Sequence, residues 1–326
     1  MLSAPLAVST DTSAAFQLGP LAILGLLYAR RAHTLAAEEH PVPGWRQACF
    51  YGGFIVIAAA LTSLGAASQD LLWVHMTEHL LLGDFAALLI VLGLTGPLLA
   101  PVLRIGLFDR LRALSHPAIA FPLWMIDLYA WHLPIFYEAA LRHSGVHVLE
   151  HAMFLGSGIN MWMCLVGPLP TPGWFGNHAR LIYIVVVRLA GAALGNIFLW
   201  SGKIYYPFYL AGEARFHISP LADQSIAGAI LIVEESILTL SLFYWLFLRA
   251  ARESDERREL LDFASRSGLK LSDARVAHAV SAGRGEELRR RLQAQLEAAG
   301  GARLKDADAD RAGTPLQAHS GANDHG

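Results

Sequence analysis

Two cysteines, Cys49 and Cys164, are all that 326 residues contain, and neither belongs to a Cys-x-x-Cys or Cys-x-x-x-Cys spacing. A thiolate metal relay is therefore excluded, and any metal chemistry must use imidazole, carboxylate and thioether. Charge is scarce as well: Asp, Glu, Lys and Arg make up 16% of the chain against 54% hydrophobic residues, with a mean hydropathy of +0.41. The charges gather outside long apolar blocks, so the chain is expected to be an integral membrane protein. A formal charge of −2 lacks the basic excess that nucleic-acid binding requires. Residues 1–14 contain no Lys or Arg, so the basic n-region of a secretory signal is missing and the first apolar run is expected to be an uncleaved anchor.

Apolar runs near the roughly 20 residues needed to cross hydrocarbon fall at 15–29, 47–67, 71–95, 117–139, 146–166, 180–200 and 224–248. An all-α polytopic bundle of about seven transmembrane helices is expected over 15–250. A short extracytoplasmic segment, 1–14, precedes it and a charged cytoplasmic tail, 251–326, follows. The tail reads as mixed-charge helices that give way to disorder from about Gly300. Arg30, Arg31 and Arg46 flank the first connection, Arg104, Arg110 and Arg112 the third, and Arg249, Arg252, Arg257 and Arg258 follow the last run. The second connection has no basic residue, so the amino terminus is expected outside and the carboxyl terminus inside. Both cysteines then sit near inner span ends, where packing is their expected role.

Against this plain background His-x-x-Glu-His occurs twice, as His75-Met76-Thr77-Glu78-His79 and His147-Val148-Leu149-Glu150-His151. Each copy opens an apolar run, and the runs close on Gly96-Pro97-Leu98 and Gly167-Pro168-Leu169. A shared start, length and stop suggest a parallel internal repeat of the third and fifth helices. In a helix, residues four apart share a face, so each copy aims two imidazoles at one neighbour. His132, in the run between them, is expected toward the same side, giving a metal site of His75, His79, His132, His147 and His151. Glu78 and Glu150 flank the ligand face as supporting partners, with a ligand role or an interfacial position as alternatives. Met76 and Met153 lie nearby but point well away from that face, so packing is their expected role.

Imidazole suits copper, zinc and haem iron, and the Irving–Williams order favours copper. The same motif also occurs in metallopeptidases that use its Glu as general base, so an intramembrane metal hydrolase stands as an alternative, and a haem-binding or haem-handling protein as another. Arg188, Glu234 and Glu235 fall near mid-span and are expected to form a structural ion pair. Asp127 could serve that pair or a proton path, and Asp84 could accept a hydrogen bond from a neighbour.

Several local patterns carry a likeness to a known family. They are His75-Met76-x-x-His79 with the later Gly93-x-x-Gly96-Pro97, Trp131-His132-Leu133-Pro134 with Tyr137, Val146-His147-x-x-x-His151 leading to Trp162, and Pro220-Leu221-Ala222-Asp223-Gln224 with Ala227-Gly228. In this order they resemble the CtaG-type (caa3) cytochrome c oxidase assembly factors, bacterial seven-helix membrane proteins, over roughly residues 16–248. The resemblance implies a non-enzymatic role in maturing haem-copper oxidases, copper as the cargo, and oxidase subunits or other assembly factors as partners in the cell inner membrane. It adds Asp223 and Met76 to the histidines as functional positions.

Overall fold

The computed structural model describes residues 10–64, 67–105, 116–281 and 284–312. Arg110 and Arg112, residues 1–9 of the amino-terminal segment and residues 313–326 of the tail lie outside the described residues. The described elements are all helical, with no strand among them. The chain divides into two compact units, Met1–Phe243 and Tyr244–Gly326.

In the first unit, α1 (Thr10–Ala37) and α2 (Gly44–Ala59) come first, and α2 is prolonged by a π-helical turn, Ala60–Leu64. Next are α3 (Leu72–Leu80), a second π turn (Leu81–Ala86) and α4 (Ala87–Gly93), which together make one apolar helix from Leu72 to Gly93. Then follow α5 (Gly96–Leu103), α6 (Pro117–Trp131), α7 (Pro134–Arg142), α8 (Ser144–Val166), α9 (Asn177–Trp200) and the short α10 (Leu210–Arg215). The long α11 (Pro220–Arg266) leads on to α12 (Asp273–Ser281) and α13 (Gly285–Ala312). In the second unit Leu260, Val276, Val280, Leu288 and Leu292 form a small core, and Arg257 pairs with Asp273.

Among the described residues four stretches are long and apolar enough to cross a membrane: Gly44–Leu64, Leu72–Gly93, Asn177–Trp200 and Pro220–Arg266. The pair α6 and α7 makes a fifth if counted as one broken span. This is the architecture of a membrane protein. The run expected as a single helix over 117–139 is instead bent by 70°. The cause is Pro134, which has no N–H to donate and holds Leu133 in extended backbone (φ −67°, ψ 132°). Helix α8 is continuous over 23 residues but carries His147, Glu150, His151, Ser157 and Asn160, which lower its apolarity.

Glycine sets the closest helix approaches, as small residues do where lipid tails offer no hydrophobic drive between helices. A Cβ on Gly158 of α8 would overlap the carbonyl oxygen of Gly83 in the π turn, and one on Gly228 of α11 would lie 2.5 Å from the carbonyl oxygen of Gly195 in α9. At the far end of α4 from the histidines, Arg46 donates to the carbonyls of Leu92 (2.9 Å) and Leu94 (2.8 Å), satisfying acceptors that a helix end leaves over.

Candidate metal centre

Helix α3 starts without a capping side chain of its own, at Leu71. The acceptor comes from 151 residues away: Asp223, in the first turn of α11, takes hydrogen bonds from the backbone N–H groups of Leu72 (2.8 Å) and Trp73 (3.0 Å). A carboxylate there complements the positive end of the helix dipole and satisfies two of its free donors. The neighbouring Gln224 accepts from the N–H of Tyr205 (3.1 Å) and donates to the carbonyl of Lys203 (3.1 Å), tying the loop before α10 to α11. Asp223 thus holds the helix turn on which His75 stands. Outside the spans, burial, and after it the Asp223 carboxylate, push Glu213 of α10 up to about 7.

The two motif helices lie side by side. His75 faces His147 with ring centroids 5.3 Å apart, His79 faces His151 at 5.6 Å, and one turn further Gly83 meets Phe154 and Gly158. Because partners advance together along both chains, the helices run in the same direction. Within each motif the rings are 4.4 Å (His75–His79) and 4.1 Å (His147–His151) apart, so four imidazoles close a quadrilateral. Gly158 permits this, since the two backbones touch just below it.

The glutamates cross over. Glu78 Oε1 lies 3.7 Å from His151 Nε2, while Glu150 Oε2 lies 3.7 Å from His79 Nε2 and 3.9 Å from His75 Nε2. Each motif's carboxylate therefore addresses the other motif's second histidine. Glu78 and Glu150 are buried, which removes the interfacial position from the alternatives. Donor atoms of His75, His79 and Glu150 fall within 4.8 Å of one another, as do those of His75, Glu78 and His147, and of His147, Glu150 and His151. Ligands around a tetrahedral ion with bonds of about 2.0–2.2 Å are roughly 3.3–3.6 Å apart, so modest closure of these sets would encircle one. Both ring nitrogens of His79 and both carboxylate oxygens of Glu150 are buried without a hydrogen-bond partner among the described residues. Polar atoms so placed are costly unless something fills the gap, and the donor set fits a nitrogen- and oxygen-seeking cation. His147 is half-buried and marks the open side.

His132 is not a corner of this quadrilateral. It ends α6 at the bend, 6.1 Å from the His79 ring, with Nδ1 2.6 Å from the carbonyl oxygen of Leu128. That distance assigns the proton of the neutral ring to Nδ1, which leaves the Nε2 lone pair aimed at the Met76 Sδ, 3.3 Å away. A nitrogen and a thioether thus face each other with no hydrogen between them. Met76, expected to pack, is fully buried and does so against a histidine from another helix, whereas Met153 is exposed. The bend at Pro134 also turns α7 back, which brings Tyr137 over the His75 ring (5.1 Å). Tyr137 stacks on Tyr206 (4.0 Å) and hydrogen-bonds Tyr209 (3.0 Å), and Tyr206 donates to the His132 carbonyl (2.7 Å). Tyr206 and Tyr209, which no sequence pattern singled out, join Tyr137 in roofing the histidines.

Deeper in the bundle Arg188 of α9 donates to Asp84 (2.8 Å) and Glu235 (2.9 Å), with Glu234 at 3.9 Å, and stacks on the Trp162 ring at 4.9 Å. Asp84 therefore joins the expected group of Arg188, Glu234 and Glu235. Asp127 stands apart from Arg188 and accepts a 2.5 Å hydrogen bond from Ser157, linking α6 to α8.

A helical membrane protein whose two parallel helices enclose paired histidines and crossed glutamates defines a class of membrane-embedded polyhistidine protein. The sequence signature of the family described as cytochrome c oxidase caa3 assembly factor matches residues 26–253. The chain belongs to that family. No curated protein and no solved structure matches it.

Proposed function

We propose that this assembly factor serves haem-copper oxidase by binding copper in the His75, His79, His147, His151 ring and passing it on to the oxidase or to another assembly protein. The observation that carries the reading is the crossed arrangement of the two motifs, which brings four imidazoles and two carboxylates together where the ring nitrogens of His79 and the carboxylate oxygens of Glu150 are buried without hydrogen-bond partners among the described residues. The facing Met76 sulfur and His132 nitrogen favour copper over zinc, because a thioether is a soft ligand suited to Cu(I). The contact of Gly83 with Gly158 leaves no slot for a porphyrin between the motif helices, which weighs against haem. The same crossing places each Glu against a histidine of the other copy, a relation that a parallel repeat of the two helices explains.

In this reading α1, the bent α6–α7 and α8 also span the membrane, giving seven spans, since α8 packs along the apolar helix from Leu72 to Gly93. The histidines then face the extracytoplasmic side of a bacterial cytoplasmic membrane. Arg46 at the opposite end of that helix supports this, as basic residues favour the inner face.

The test is oxidase activity in a strain lacking the protein, complemented with wild type or with His75, His79, His147 and His151 all changed to Ala. The variant is expected to leave the oxidase inactive and copper-poor, with activity returning when copper is added to the medium. Full oxidase activity with the variant would refute the reading.

A further inference from the structure

Three carboxylates, Asp84, Glu234 and Glu235, meet one guanidinium, Arg188, mid-span. Arg188 hydrogen-bonds Asp84 and Glu235, which already outnumber it in charge. Glu234 is left over: it is 7% exposed, and neither of its oxygens has a hydrogen-bond partner among the described residues. Fully ionised, the group would carry −2 in a medium where even one unpaired charge costs several kcal/mol. Oxygens of the three acids lie within 4.8 Å of one another. A metal ion placed among them would sit against the guanidinium; a proton would not. A cavity with room for water, lined by Asp84 and Glu235 at one end and by Met76, His79 and His132 at the other, joins this cluster to the histidines.

We propose that Glu234 holds an exchangeable proton beside the Arg188 ion pair, and that the cavity is the route by which this proton passes between the carboxylates and water near the histidine ring. The groups facing Glu234 are Asp84 from the π turn, Arg188 from α9 and Glu235 from α11; His79 and His132 stand at the far end of the cavity. In protonation a hydronium ion in the cavity gives one proton to Asp84 or Glu235, which passes it to Glu234, and water is left behind; release runs the same way in reverse. The site does not depend on copper, so the two readings fail separately.

The experiment is infrared spectroscopy of the full chain in lipid vesicles at neutral pH. Wild type is expected to show the C=O stretch of a protonated carboxylic acid that shifts in D2O. In the wild type minus Glu234→Gln difference spectrum this band should appear as a loss, with the variant unfolding at nearly the wild-type temperature, because the amide mimics the neutral acid. Leu194→Phe, which narrows the cavity, should keep the band and slow its shift in D2O. No carboxylic-acid band in the wild type minus Glu234→Gln difference spectrum would overturn the assignment. So would marked destabilisation by Glu234→Gln, which would mean an ionised partner of Arg188. An unchanged exchange rate in Leu194→Phe would overturn the route.

Discussion

Asp223→Ala removes the carboxylate that caps α3, and its effect can be worked from two hydrogen bonds. Losing a helix cap costs about 1–2 kcal/mol. Here the donors are the N–H groups of Leu72 and Trp73, and Leu72 is buried, so an unmet donor adds roughly another 1–2 kcal/mol. The expected loss is about 2–4 kcal/mol, and Asp223→Asn, which keeps one acceptor, should lose about half of it. His75 lies one turn from this cap, so fraying should weaken metal binding through His75 more than through His151. Urea or thermal unfolding of the detergent-solubilised protein measures the first effect, and metal titration of the same samples the second. Asp223→Ala with stability within about 0.5 kcal/mol of wild type would refute the capping argument.

Gly158→Ala should lose about 1–3 kcal/mol and most of its metal affinity, because the new methyl overlaps the Gly83 carbonyl and parts the motif helices; Gly83→Ala should be milder, since its nearest atom is the Phe154 carbonyl oxygen at 3.5 Å. Paired unfolding and metal titrations check this, and equal effects would contradict it. Glu213 is raised from its ordinary 4.5 to about 7 in the folded chain, so between those values the folded state binds more protons than the unfolded one. Stability from this group is present below about 4.5 and is lost as pH rises through about 7. Glu213→Gln should therefore flatten the fall in melting temperature between pH 5 and 8; an unchanged slope would refute the assignment.

Much of this site could be read from local spacing. A four-residue interval fixes the side of a helix, so both histidine pairs were legible without knowing where either helix goes. What lay out of reach depends on contacts between distant segments. Asp223 caps a helix 151 residues earlier, and nothing local to Ala222-Asp223-Gln224 says which helix start it meets. The sulfur of Met76 faces His132 because α6 ends there, and the crossing of Glu78 and Glu150 requires the close approach at Gly158. Asp84 was visible only as a lone acid; its pairing with Arg188 depends on the packing of α9 against the π turn. Pro134 announced a helix break, yet a hydropathy window averages across it, so the run 117–139 read as one straight span where the chain bends by 70°. The windows over 15–29 and 146–166 likewise read as spans, while among the described residues four helices qualify alone by length and apolarity.

Metal analysis of the detergent-purified protein tests the central claim most directly, with wild type beside the variant in which His75, His79, His147 and His151 are all Ala. Copper in stoichiometric amount in wild type, lost in the variant while the helical circular dichroism is kept, is the predicted result. Zinc in its place would point to the hydrolase and a Soret band to haem. Copper retained by the variant, or no metal in either protein, would contradict the account.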